Sequence, residues 1–206
     1  MMMKQTVYVS GAIVLALALS SCSMLGGGKK TASSIQYSPR VPITASPTGV
    51  RAPSQMIVDV TYTTPVLDNL RIAVRPRGNE LEVYKGARWA NTPAEMLATS
   101  VLQQLEQMQA FAAVGRSGSG LNPDVRLGLE VRNFESIYTS QGQPDATIVV
   151  VAKVVRSGDE KLIRSREFKA TTPIGSTDMT TVVESFAQSL GQVSGEIAQW
   201  AASAGR

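Results

Sequence analysis

Histidine is absent from the 206-residue chain, cysteine occurs once, aromatic residues make up 5%, and no long run carries charge of one sign. Each scarcity removes a class of function. Without histidine, Ser-His-Asp and Cys-His nucleophilic machinery cannot be assembled, and zinc sites of the usual nitrogen–sulfur type lose their ligands. A single cysteine forms no intramolecular disulfide. Few aromatics leave the core to aliphatic side chains, and an apolar fraction of 43% is enough to build one in a chain of single-domain length. The 20 Lys and Arg against 16 acids make the chain mildly basic. They follow no stripe interleaved with aromatics, so no nucleic-acid footprint is present. There is no Ser-x-x-Lys pair. The glycine-rich "GRSGSG" at 115–120 lacks the Lys-Ser/Thr of a phosphate-binding loop and follows a predicted helix rather than a strand, so it reads as a connector. The carboxylate pairs Asp159 with Glu160 and Glu130 with Glu135 are of the kind any turn or strand surface carries. No catalytic residue, metal site or cofactor is expected.

The one cysteine is informative by position. Met1 to Val7 carries one positive charge, Lys4, and no acid; Gly11 to Leu19, "GAIVLALAL", is an unbroken apolar run. That run falls short of the roughly 20 residues needed to cross a bilayer but suits the hydrophobic region of a signal peptide. Leu19-Ser20-Ser21-Cys22 then resembles the bacterial lipobox. The resemblance implies a signal peptide over 1–21, with cleavage leaving Cys22 as the first mature residue. It also implies a diacylglyceryl thioether on the thiol and a further acyl chain, such as palmitate, on the amine. Two or more chains anchor stably, since each buried methylene contributes about 0.8 kcal/mol. Ser23, rather than Asp, follows the cysteine, which under the enterobacterial sorting rule implies the outer membrane, facing the periplasm. Removing residues 1–21 leaves 19 basic residues against 16 acids, a net of +3.

Residues 23–55 are rich in Gly, Ser, Thr and Pro without sustained periodicity. Such a segment buries too little apolar surface to offset its ordering entropy. It is expected to be a flexible tether reaching about 30 Å on average, with Ile35-Gln36-Tyr37 held in reserve as a short edge strand.

The folded domain is then expected over 56–206. "MIVDVTY" (56–62), "NLRIAVRP" (69–76) and "ELEVYKG" (80–86) read as strands, the last two joined as a hairpin through "RGN". A helix follows through Val114. Thr92 is its N-cap, Pro93 its first residue and Glu95 its capping-box partner, and Leu97, Val101, Leu105, Met108 and Ala112 form its apolar stripe. "DVRLGLEVRNF" (124–134) alternates cleanly as a half-exposed strand. "ATIVVVAKVVR" (146–156) is apolar on both faces, and "KLIRSREFKA" (161–170) completes a second set of three. A helix over 178–202 carries Met179, Val183, Phe186, Leu190, Val193, Ile197 and Trp200 at alternating spacings of four and three. The order β-β-β-α, β-β-β-α predicts an α+β domain, a largely antiparallel sheet with both helices on one face. The last stripe admits two readings. It is either a helix lying on the sheet or one whose Trp200 end contacts a second copy in a homo-oligomer.

"TTPVLDNLRIAVRPRGNELEVYKGARWANTPAEML" (63–97) resembles the ABC-type transport auxiliary lipoproteins, the PqiC/YmbA-like family. The resemblance is carried by Pro65, Leu67-Asp68, Ile72-Ala73-Val74-Arg75 and Arg88-Trp89-Ala90 between the hairpin and the capped helix. The chain departs from the family pattern at Asn91-Thr92-Pro93, and its tether is longer. The resemblance implies a non-catalytic lipoprotein docked to an Mce-domain periplasmic protein of an ABC system that moves phospholipids or other hydrophobic molecules. It makes Arg88 and Trp89 candidates for a special site. Their structural alternative is Trp89 packed under the first helix, with Arg88 hydrogen-bonded to the end of an element. Two other functions stay open beside it: an envelope lipoprotein regulating cell-wall synthesis or outer-membrane assembly, and a direct lipid carrier with a deep apolar pocket.

Overall fold

The first helix begins as its sequence dictates. In the computed structural model, which describes residues 34–139 and 142–203, Thr92 accepts from the Glu95 N–H while the Glu95 carboxylate accepts from the Thr92 N–H. Pro93 opens α1, Pro93–Met108. The helix stops sooner than expected. Gln109 adopts a left-handed conformation at φ 52°, and Phe111–Gly115 forms a strand instead of continuing the helix. "AFAAV" satisfies helical and strand periods equally, so tertiary partners decide. They come from the stretch assigned to the tether: the Thr48 N–H donates to the Met108 carbonyl and the Ala52 N–H to the Ala110 carbonyl, while the Arg51 guanidinium bonds the carbonyls of Phe111 and Ala112.

The elements in order are β1 (Ile35–Tyr37), β2 (Ala52–Thr63), β3 (Arg71–Arg75), β4 (Glu82–Trp89), α1, β5 (Phe111–Gly115), β6 (Val125–Tyr138), β7 (Pro144–Arg156), β8 (Leu162–Pro173) and α2 (Met179–Ala202). All eight strands join one sheet, so the α+β expectation stands, with β1 and β5 added to the six expected strands. The long ladders, β6 with β7 and β7 with β8, are antiparallel. On its other side β6 has two partners in succession. Val125–Val131 run parallel to β2, and Glu135–Ile137 run parallel to β3. β2 then pairs with β5, β3 pairs with β4, and β4 pairs with β1. The sheet is therefore mixed and forked. The repeat of the element order is not a repeat of pairing, since β2 and β3 both join β6 and not each other.

The register of β6 shifts between Val131 and Asn133. Before the shift Val125, Leu127, Leu129 and Val131 face the helices; after it Phe134 and Ser136 do, and all six are buried. A one-residue insertion reverses which side chains point inward. Both helices cover this face: Leu97, Val101 and Leu105 of α1 and Val182, Phe186, Leu190, Val193 and Ile197 of α2 are fully buried.

The compact unit begins at Ser34, not at residue 56. Residues 38–50 cross the helix pair, and one side chain holds them there. Gln104 is 1% exposed. Its Oε1 accepts from the Thr44 and Ala45 N–H groups at 3.0 Å each. Its Nε2 donates to the Pro42 carbonyl at 3.0 Å and the Ser194 hydroxyl at 3.4 Å. All four hydrogen-bonding positions of the amide are used. The crossing also needs glycine in α2, because a Cβ at Gly191 would lie 2.6 Å from Pro42 Cγ and one at Gly195 2.5 Å from Thr44 Oγ1. Gln104→Leu keeps the volume but strands the buried Ala45 N–H and the part-buried Thr44 N–H and Pro42 carbonyl, so it should cost about 2 kcal/mol. Urea denaturation will measure the loss, with faster amide exchange at Thr44 and Ala45 than elsewhere.

Candidate functional site

Trp89 ends β4 pointing into the core and is completely buried. Its ring meets Phe134 of β6 edge-on at 5.9 Å and Phe186 of α2 edge-on at 5.3 Å, and the two phenyl rings stack at 5.1 Å. Aromatic pairs of this kind contribute about 0.5–1.5 kcal/mol each beyond their burial. The indole Nε1 has no hydrogen-bond partner among the described residues, so the ring serves here through its shape. Arg88 is exposed on the opposite face of β4. Its Nη2 and Nε lie 2.6 and 3.2 Å from the Gln36 side-chain amide, oriented with its oxygen toward the guanidinium. Arg88 thereby fastens β1 to β4. The two neighbours in sequence thus work on opposite faces of the strand.

Trp200, on the last turns of α2, packs edge-on against Phe168 of β8 at 5.5 Å. The Arg164 guanidinium sits 5.8 Å from its ring centroid and bonds the Ser203 hydroxyl and carbonyl. Those contacts lie within the chain. Cys22 falls outside the described residues. Arg88, Trp89 and Trp200 do not come together in one site.

The carboxylates noted in the sequence are mostly held by cations. Arg75 forks onto Glu135 at 3.0–3.3 Å, with Asn133 also donating to it. Glu130 lies between Arg132 and Lys153, each at 3.2 Å. The Arg132 bond first, and then the Lys153 bond, hold its carboxyl below the ordinary range. Asp159 pairs with Arg156. Among the described residues no three acidic or cysteine side chains are grouped as metal ligands.

One groove stands apart from this paired surface. β5 follows β2 only as far as Ile57, opposite Gly115, and beyond that point the chain turns away through Arg116. A cleft of about 610 Å³ occupies the position β5 vacates, lined by Val58 to Thr63 of β2, Asp68, Thr92, Ala94, Glu95 and Ala98 of the α1 end, and Arg116 and Ser117. Asp59 accepts from the Ser117 N–H and hydroxyl, and Arg116 donates to Thr99. Asp68 is exposed. Sequence reasoning marked Val58–Tyr62 as strand and nothing more. Whether a strand has a free edge depends on where its neighbour ends, and no residue of β2 encodes that.

The two tryptophans should respond differently to truncation. Trp89→Ala, at the junction of β4, β6 and α2, should cost about 4 kcal/mol. Trp200→Ala, half-buried against β8, should cost about 1–2 kcal/mol. Thermal unfolding of the two variants measures the contrast.

The model of the family described as the ABC-type transport auxiliary lipoprotein component matches residues 37–198. A Xanthomonas campestris crystal structure of the DUF330 family is 37% identical, with a TM-score of 0.76 over 83% of this chain and 96% of that one. A second crystal structure, of an uncharacterized protein, shares the fold at 17% identity, with a TM-score of 0.61 over 82% of this chain and 99% of that one. No curated protein matches the chain. The match from the end of β1 into the last turns of α2 takes in residues 37–55 of the expected tether, and the chain belongs to the ABC-type transport auxiliary lipoprotein family.

Proposed function

We propose that this chain is a non-catalytic adaptor, anchored to the outer membrane through lipidated Cys22 and docked in the periplasm to an Mce-domain protein of an ABC transport system for phospholipids or similar hydrophobic molecules. The family match over residues 37–198 carries the reading. Family membership supports the transport-auxiliary and lipoprotein parts; the outer-membrane and Mce parts follow from Ser23 and from the resemblance around Arg88-Trp89-Ala90. The interior favours an adaptor over a carrier. A carrier requires an apolar cavity between helices and sheet, and that space is filled by Trp89, Phe134, Phe186, Leu105, Leu129 and Ile197, all buried. The groove beside β2 opens outward and has Asp59, Asp68 and Glu95 in its lining, a poor wall for acyl chains. No described helix is long and apolar enough to cross a membrane.

Two measurements test the reading. Cys22→Ala should shift the protein from the outer-membrane fraction of a density gradient to the soluble periplasm; wild-type protein sedimenting with inner membrane would refute the sorting. Affinity capture of the full chain from detergent-solubilised envelopes should recover an Mce-domain protein without stoichiometric phospholipid. Recovery of a cell-wall synthase, or of one bound lipid per chain, would replace the adaptor by the corresponding alternative.

A further inference from the structure

The groove beside β2 is more than an irregularity of the surface, because its floor is main chain. Along β2 the backbone groups alternate in direction. The Ala52 N–H donates toward β5, to the Ala110 carbonyl, and the Gln55 carbonyl accepts from Asp124 at the head of β6. Continuing that alternation, Ile57 and Asp59 face β6, and Val60 turns its N–H and carbonyl to the side where β5 has ended. The ladder with β5 closes at Ile57–Gly115, and no described residue outside the strand ladders bonds the Val60 backbone. An edge strand with unpaired N–H and carbonyl groups is a template for another strand. The register shift of β2 between Val60 and Tyr62 bounds the template and keeps any added strand to about five residues.

The surroundings define what fits there. Val58 is buried and Val60 half-buried, and with Ala94 and Ala98 they form a shallow apolar strip. Thr63 Oγ1, at the far end of the groove, is buried with no hydrogen-bond partner among the described residues. Three carboxylates, Asp59, Asp68 and Glu95, lie along the groove against one cation, Arg116, and that cation is bonded to Thr99. Asp68 has no side-chain partner among the described residues. A ligand must be extended, to use the backbone edge, and basic, to meet the carboxylates. Its inward side chains must be small enough for the strip of Val58, Val60, Ala94 and Ala98.

We propose that the open half of β2 is a docking edge for an extended, basic segment of a partner protein, which adds to the sheet as a strand in line with β5. Main-chain bonds to Val60 supply affinity, and the carboxylates and the apolar strip select side chains alternately along the segment. The inference deepens the adaptor role and rests on it for there being a partner in the envelope. The edge itself is tested without a transporter, so either idea can fail alone.

The test uses the full chain purified in detergent and a displayed library of random twelve-residue peptides. The expected winners alternate Lys or Arg with small apolar residues, and their binding slows amide exchange at Val60. Val60→Pro removes the central donor at a position where an edge strand tolerates proline, and should weaken the selected peptides at least tenfold. Asp68→Lys, an exposed change in the loop, should weaken them several-fold and shift selection toward acidic sequences. Circular dichroism checks the proline variant; if it fails to fold, Asp68→Lys and the exchange pattern decide. No enrichment, enrichment of helical or acidic peptides, or binding unchanged in the folded variants would overturn the proposal. So would protection of Val60 that rises with protein concentration in the absence of peptide, because the occupant would then be a second copy.

Discussion

One extra residue in β6 organises the rest of the sheet. Up to Val131 the strand lies against β2, and from Glu135 it lies against β3, with the register shift in between. The shift turns Phe134 inward, where it stacks on Phe186 and meets Trp89. It also separates the two arms of the fork. β2 and β5 form one arm, β3, β4 and β1 the other. Because β5 is only Phe111–Gly115, the second half of β2 has no strand partner on the edge facing away from β6. The main irregularity of the surface therefore follows from where β5 ends, beside the fork that the shift in β6 creates.

The interior is held by two different kinds of interaction. The aromatic junction is non-directional burial plus edge-on ring contacts, and it draws together elements distant in the chain. The Gln104 junction is directional. A single buried amide bonds Pro42, Thr44, Ala45 and Ser194. An amide with all its positions used is well tolerated in a core, whereas a partly satisfied one is among the most damaging features a core can hold. The arrangement requires both Gln104 and the glycines of α2, and it turns what composition marks as linker into part of the domain.

A filled core and carboxylates paired with cations leave the surface of the domain to make its contacts. Membership of a transport-auxiliary family agrees with that economy. Surfaces then matter more than cavities, and the informative surfaces are those where a backbone or a charge lacks a partner. Arg88 and Trp89 draw the eye in the sequence, yet one fastens β1 through Gln36 and the other is enclosed by rings.

The local signals in the chain were sound wherever the answer was itself local. Thr92, Pro93 and Glu95 set the start of α1, the alternation of Val125 to Val131 gave a strand with one buried face, and the stripe from Met179 to Trp200 placed α2 on the sheet. The lipobox resemblance around Cys22 also rests on neighbouring residues, and it falls outside the described residues. The errors share one cause. Composition marks residues 48–52 as tether and periodicity allows 111–114 to be helix, yet these two segments bond to one another across about sixty positions. Neither has a strong preference alone, so each takes its conformation from the other. The fork of the sheet, the clamp at Gln104 and the free edge of β2 arise in the same way. Periodicity and capping are properties of a few consecutive residues, and the sequence determined them. Pairing is a property of two segments at once, and only the tertiary structure decided it.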